Sequence, residues 1–225
     1  MPAKGRRAET RTRRPRPGFP RETDLTRRVN IRAEGRSVLI MTNGERTEVD
    51  YFNGMKEELW ITATKVIVKF EAGEPAAVVL RAAVIRQEND YDEAWAVCDV
   101  DEYDVTSALA DAKRRGVELT LSVPCFEVWL ILHLSEKCPR FNDCGQADRY
   151  LKGLLPIWDK ADLRFADFRG GVFNAEARAQ RLGDPPDANP STAVWRVVES
   201  LRSTPEVARE GTGQINSPVK DETSS

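Results

Sequence analysis

The stretch E-A-W-A-V-C-D-V-D-E-Y, residues Glu93 to Tyr103, decides how the chain is read. Ala94 to Cys98 is a short, continuous apolar run, the signature of a strand buried on both faces, and it stops at Asp99 and Asp101. The two aspartates therefore fall at the C-terminal end of a strand. Side chains in a strand alternate with period two, so a D-x-D pair directs two carboxylates to one side, close enough to share a hard cation such as Mg2+. In open α/β sheets that edge is where ligands bind. A plainer reading stays open at this point: Asp99, Asp101, Glu102 and Asp104 forming a solvated turn, with Asp104 capping a helix that begins near Val105.

Working outward, the flanking segments alternate. Ser37 to Thr42 (S-V-L-I-M-T) reads as a strand that runs into the glycine-bearing turn N-G-E-R-T-E. A helix follows, with Val49, Phe52, Met55 and Leu59 as its apolar stripe. Glu45 and Glu48 sit at the turn and in the first helical residues, where carboxylates complement the helix dipole. Lys65 to Phe70 reads as a second strand, and Glu74-Pro75 starts a helix reaching to about Ile85. After the central strand come a helix from Val105 to about Arg115, ended by Gly116, and a strand from Glu118 to Val123. Strands alternating with helices of this length predict an α/β fold with a parallel sheet flanked by helices.

Pro124 suits the start of the next helix, P-C-F-E-V-W-L-I-L-H-L, in which Glu127 is the one acidic residue. A carboxylate in such apolar company needs a partner, and the helix N-terminus offers free amides and the dipole. His133, the chain's single histidine, lies about 240° around the helix from Glu127 and reads as a packing residue. No Ser-His-Asp or Cys-His arrangement can be built around it. Past Cys138 the alternation gives way to helices over Arg149 to Trp158 and Ala175 to Leu182, and an R-G-G loop at Arg169 to Gly171. N-P-S-T at Asn189 to Thr192 then introduces a last helix with Val194, Val197, Val198 and Leu201 on one face, Pro190 and Ser191 reading as its cap.

With 225 residues, one main core is expected. The expected organisation is a disordered basic arm over 1–35, an α/β core over 36–136, a helical appendage over 137–202 and a disordered tail over 203–225. No apolar run approaches the ~20 residues a membrane-spanning helix needs, and no apolar segment follows the arginine-rich start, so a cytoplasmic protein is expected. Four cysteines without a C-x-x-C pair point to neither disulfides nor zinc. The net charge of -2 hides an asymmetry. Residues 1–36 hold 12 Lys/Arg against 4 Asp/Glu, a local +8, which leaves about -10 on the remaining 22 Lys/Arg and 32 Asp/Glu. Such an arm binds nucleic acid by phosphate neutralisation, or serves only as a solvated tail. P-loop and G-x-G-x-x-G phosphate cradles are missing from the sequence, which weighs against a small-molecule phosphotransfer enzyme.

Four blocks in order, T-N-G-E-R-T-E-V-D-Y-F (Thr42 to Phe52), D-V-D-E-Y (Asp99 to Tyr103), V-P-C-F-E-V-W-L-I-L-H (Val123 to His133) and N-P-S-T (Asn189 to Thr192), make the chain resemble the RloB-like family. Its members are predicted toprim-fold proteins encoded with restriction and antiphage loci. The resemblance implies an acidic Mg2+ (or Mn2+) site like that of toprim nucleases, in which a glutamate after the first strand and a D-x-D after a later one act in phosphodiester chemistry. Carried over, Asp99 and Asp101 hold metal, Glu48 is the candidate for the acid/base position, and Glu127 is an additional carboxylate at the site. The family's first block usually reads E-G-x-x-T-E, and here Asn43 stands in the first position; an amide oxygen can ligate a cation but cannot act as a base. The resemblance therefore implies either a metal-dependent nuclease acting on DNA or RNA in antiphage defence, or a degenerate toprim domain that binds nucleic acid or a partner protein without chemistry. By analogy with related defence systems, an ATPase is the expected partner.

Overall fold

The computed structural model describes residues 36–63, 65–100 and 103–202. Both expected disordered ends, and Asp101 with Glu102, lie outside the described residues. The chain forms a five-stranded sheet: β1 (Ser37–Thr42), β2 (Lys65–Phe70), β3 (Glu93–Asp99), β4 (Glu118–Val123) and β5 (Ser191–Thr192), in the order β2-β1-β3-β4-β5. The first four are parallel, and β5 adds antiparallel to the end of β4. Helices α1 (Thr47–Met55), α2 (Pro75–Asn89), α3 (Thr106–Arg115), α4 (Glu127–Leu134), α5 (Cys144–Leu154), α6 (Val172–Leu182) and α7 (Val194–Arg202) complete the fold. This is a toprim-like α/β arrangement, a mostly parallel sheet flanked by helices.

Strand alternation divides the interior in two. Val38, Ile40, Trp95 and Val97 face the cluster built by α1 and α4 to α7, whereas Leu39, Met41, Ala94, Ala96 and Cys98 face α2 and α3. Asp99 shares the parity of Trp95 and Val97, so the pleat directs it toward the α1 and α4 side. The order β2-β1-β3-β4 has a topological switch point between β1 and β3. From β1 the chain leaves through α1 on one face; from β3 it leaves through α3 on the other, and the diverging loops open a crevice at the strands' C-terminal ends.

Several local expectations shift. Helix α1 buries Thr47, Glu48, Tyr51, Phe52 and Met55; Val49 is only half-buried, and Leu59 lies exposed beyond the helix end. The helix after Pro124 starts at Glu127, with Val123-Pro124 in the cis form. Seven of its eight residues are buried, each large apolar one contributing roughly 1.5–3 kcal/mol. Asn189 to Thr192 do more than cap α7. Ser191 and Thr192 pair with Val123 and Ser122, and the Asn189 side chain accepts from Phe141 N–H and donates to Phe141 O. Val194, Val197, Val198 and Leu201 form the buried face of α7, as their spacing predicts. Asp104 does serve α3, its carboxylate accepting from Thr106 N–H at 2.9 Å.

Candidate active site

Three carboxylates from three elements meet at the switch point. Asp99 is the last residue of β3, Glu48 lies in the first turn of α1, and Glu127 opens α4. Glu48 and Glu127 are almost fully buried. Between β1 and α1, Gly44 makes this convergence possible: a Cβ there would lie 1.9 Å from Glu48 Oε2, so the Glu48 carboxylate occupies the space that glycine leaves. Thr42 Oγ1 donates to Gly44 O at 2.8 Å and fixes the turn.

Asn43 has a different job from a free ligand. Its N–H donates to Val97 O at 3.2 Å, prolonging the pairing of β1 with β3, and its Oδ1 accepts from Asp99 N–H at 3.2 Å. The side chain in the family's glutamate position therefore ties the tip of β1 to the end of β3. Glu48 supplies the carboxylate beside that tie, five residues later; Glu45 is exposed at the mouth of the pocket.

Electrostatics follow from burial. Enclosure raises the Glu48 carboxyl from its ordinary range to about 7, with hydrogen bonding to its own backbone pulling down and the charge of Glu127 adding to the rise. Asp99 is pushed well above the usual carboxylate range by burial first, then by Glu48 and Glu127. Their neighbour Cys98 is likewise raised by burial, then by the charges of Asp99 and Glu48. The charge of Glu127 thus disfavours ionisation of Glu48, and those of Glu48 and Glu127 disfavour ionisation of Asp99.

The balancing cation, Lys160, is one that the sequence does not advertise. Its Nζ lies 2.6 Å from Glu127 Oε1, an oxygen of a carboxylate that is almost fully buried. Burial alone would lower the Lys160 ammonium, yet the Glu127 carboxylate outweighs it and holds the group above its ordinary range. The loop carrying it is anchored on both sides. Trp158 is buried and its indole N–H donates to Asp148 Oδ1 at 2.7 Å; Thr47 Oγ1 donates to Lys160 O at 3.2 Å; and Arg46 Nη1 donates to Ala161 O at 3.4 Å. Lys160 is 33 residues beyond Glu127 in an otherwise unremarked loop, so no spacing pattern marks it.

Gly44, Glu45, Arg46, Glu48, Asp99 and Lys160 line a pocket of about 410 Å3 at this edge. The donor chemistry suits a hard divalent cation: buried oxygen anions outnumber the one ammonium among them, and Mg2+ is usually held by one or two carboxylates, with waters and substrate phosphate completing its sphere. Among the described residues no group of three or more His, Cys, Asp or Glu is placed so that it could hold a metal ion. Asp101, expected as a second metal ligand, lies outside the described residues.

His133 is placed on the opposite end of α4 and is sequestered from the pocket. Its Nδ1–H donates to Trp129 O at 2.8 Å, which leaves Nε2 to accept from Tyr51 O–H at 3.1 Å. Burial lowers its pKa to about 4. The histidine is neutral and structural.

The parallel sheet, its switch point and the acidic crevice define a toprim-like α/β protein. A family model described as RloB-like protein matches residues 38–201, and the chain belongs to that family. No curated protein and no solved structure gives a significant match. Among the described residues no helix is long and apolar enough to cross a membrane.

Proposed function

We propose that this RloB-like protein is a Mg2+-dependent nuclease of the cytoplasm, cutting phosphodiester bonds of DNA or RNA in antiphage defence, with an ATPase as its regulatory partner. The observation that carries the reading is the convergence of Glu48, Asp99 and Glu127 from three separate elements at the sheet's switch point, where Glu48 and Asp99 line one pocket and Glu127 is buried against its Lys160. A fold gains no stability from burying carboxylates that repel one another, so their convergence asks for a ligand of opposite charge.

Asp99, together with Asp101, would hold the cation, which when bound neutralises charge building on the phosphate. Glu48 would move the proton. A carboxyl raised to about 7 is half-ionised near neutral pH, where a general base works best. Glu127 holds Lys160 in place beside them. The basic N-terminal arm, with its local +8, would add sequence-independent affinity for nucleic acid.

One observation favours the second reading, a binding domain without chemistry: Asn43 occupies the family's glutamate position and spends its oxygen on Asp99 N–H. The test is cleavage of plasmid, single-stranded DNA and bulk tRNA in Mg2+ or Mn2+, with and without a neighbouring ATPase, for wild type and Glu48→Gln. Cleavage by wild type and its loss in the variant is the expected result. Silence from the folded wild type on every substrate would favour the binding domain.

A further inference from the structure

Lys160 and Glu127 form a pair of unequal exposure. The lysine side chain is 58% exposed and the glutamate only 1%. Replacing a buried ion pair by apolar residues commonly leaves a protein as stable or more so, so stability alone does not explain a glutamate buried beneath a lysine. What the pair does achieve is placement. A flexible four-carbon stem is pinned so that Nζ stands at one spot on the pocket wall, and the loop beneath it is tied to α1 through Thr47 and Arg46. Of the ammonium's three donors, one points toward Glu127, and no other bond of Nζ is present among the described residues. The other polar side chains of the pocket are largely carboxylates, Glu45, Glu48, Asp99 and Asp159, with Arg46 as the second cation. A polyanion entering such a pocket is repelled unless a cation meets it.

We propose that Lys160 contacts a phosphate group of the nucleic-acid substrate, with Glu127 as the positioning residue that holds its ammonium over Glu48 and Asp99. The inference rests on the nucleic-acid reading above and adds to it the residue that meets the phosphate. It also assigns Glu127 a role through Lys160, distinct from direct contact with the reacting atoms.

The experiment uses the full chain and labelled duplex and single-stranded oligonucleotides, with Ca2+ in place of Mg2+, over a salt series. Lys160→Gln should weaken binding roughly tenfold at moderate salt and flatten the slope of log K against log salt by about 0.9 on duplex or about 0.7 on single strands. Lys160→Arg should keep most of the slope. Thermal unfolding separates this role from a merely structural one. Lys160→Gln strands a buried charge and loses stability, and Lys160→Gln/Glu127→Gln should regain that stability without regaining the slope. If Lys160→Gln does not fold, the double variant carries the test by itself. An unchanged slope in Lys160→Gln, or recovery of the slope in the double variant, would overturn the proposal while leaving the nuclease reading intact. Failure of the folded wild type to bind or cut any nucleic acid removes both.

Discussion

Helices α1 and α4 meet through their side chains and each carries polar groups into the interior at two places, with opposite outcomes. One turn along α1 from Glu48, Tyr51 O–H donates to His133 Nε2, and His133 Nδ1–H donates to Trp129 O, among Phe126, Phe165 and Phe168 packed edge to face. The Tyr51 hydroxyl and both His133 ring nitrogens are matched, although Trp129 Nε1 beside them has no hydrogen bond among the described residues. At the pocket, Glu48, Asp99 and Glu127 bring three carboxylates against one ammonium. A buried polar group that is fully satisfied locks packing; one left in excess of its partners is held ready for something that arrives later. The same two helices thus separate a packed aromatic polar cluster from an acidic one with an excess of carboxylates.

Substitutions should split along that line. The largest effect is expected from Glu48→Gln and Asp99→Asn, which should each lower cleavage by ~100- to 10,000-fold while leaving the metal-free protein as stable as wild type or more so. Cleavage rates and chemical denaturation on the same preparations check this, and loss of stability together with activity would erase the distinction between the clusters. Tyr51→Phe should do the reverse. It leaves His133 Nε2 without its donor, costing about 1–3 kcal/mol in denaturation while cleavage per folded molecule stays level.

The pH dependence has opposite signs at the two places. Glu48 has a folded pKa of about 7, above the ordinary 4.5, so the native state binds the extra proton and the contribution, present below 4.5, is lost as pH rises to about 7. His133 has a folded pKa of about 4, below the ordinary 6.5, so its contribution is present above 6.5 and lost as pH falls to about 4. In metal-free wild type the two partly cancel. The stability of wild type minus that of Glu48→Gln isolates the first, and should fall by up to about 3 kcal/mol between pH 4.5 and 7. Mg2+ should recover that loss; a flat difference curve would mean that Glu48 ionises freely.

The smallest effect is expected at Asn43. One oxygen of Asn43→Glu can still accept from Asp99 N–H, but Glu48 already fills the space beside it, so the new carboxylate adds mostly repulsion. Cleavage should stay within about tenfold of wild type. A rise beyond that, measured with Mn2+ affinity on the same variant, would mean that Glu48 is not the working carboxylate.

Period-two and helical spacing made the fold legible: the four parallel strands, Gly116 at the end of α3, and the buried face of α7 follow from local chemistry that any neighbour would have to respect. Asp99 was visible for the same reason, since a carboxylate that ends an apolar strand has one place to be. The true face of α1 was not, because Tyr51 could be buried only once His133, 82 residues away, accepted its hydroxyl. Nor could spacing say whether Glu48 aims inward, which depends on the room left by Gly44. Lys160 was invisible in the sequence, where it is one of nine lysines and stands in a loop with no pattern around it. Only the packing of that loop on α1 brings its ammonium to Glu127, and contacts between residues far apart in the chain leave no periodic trace along it.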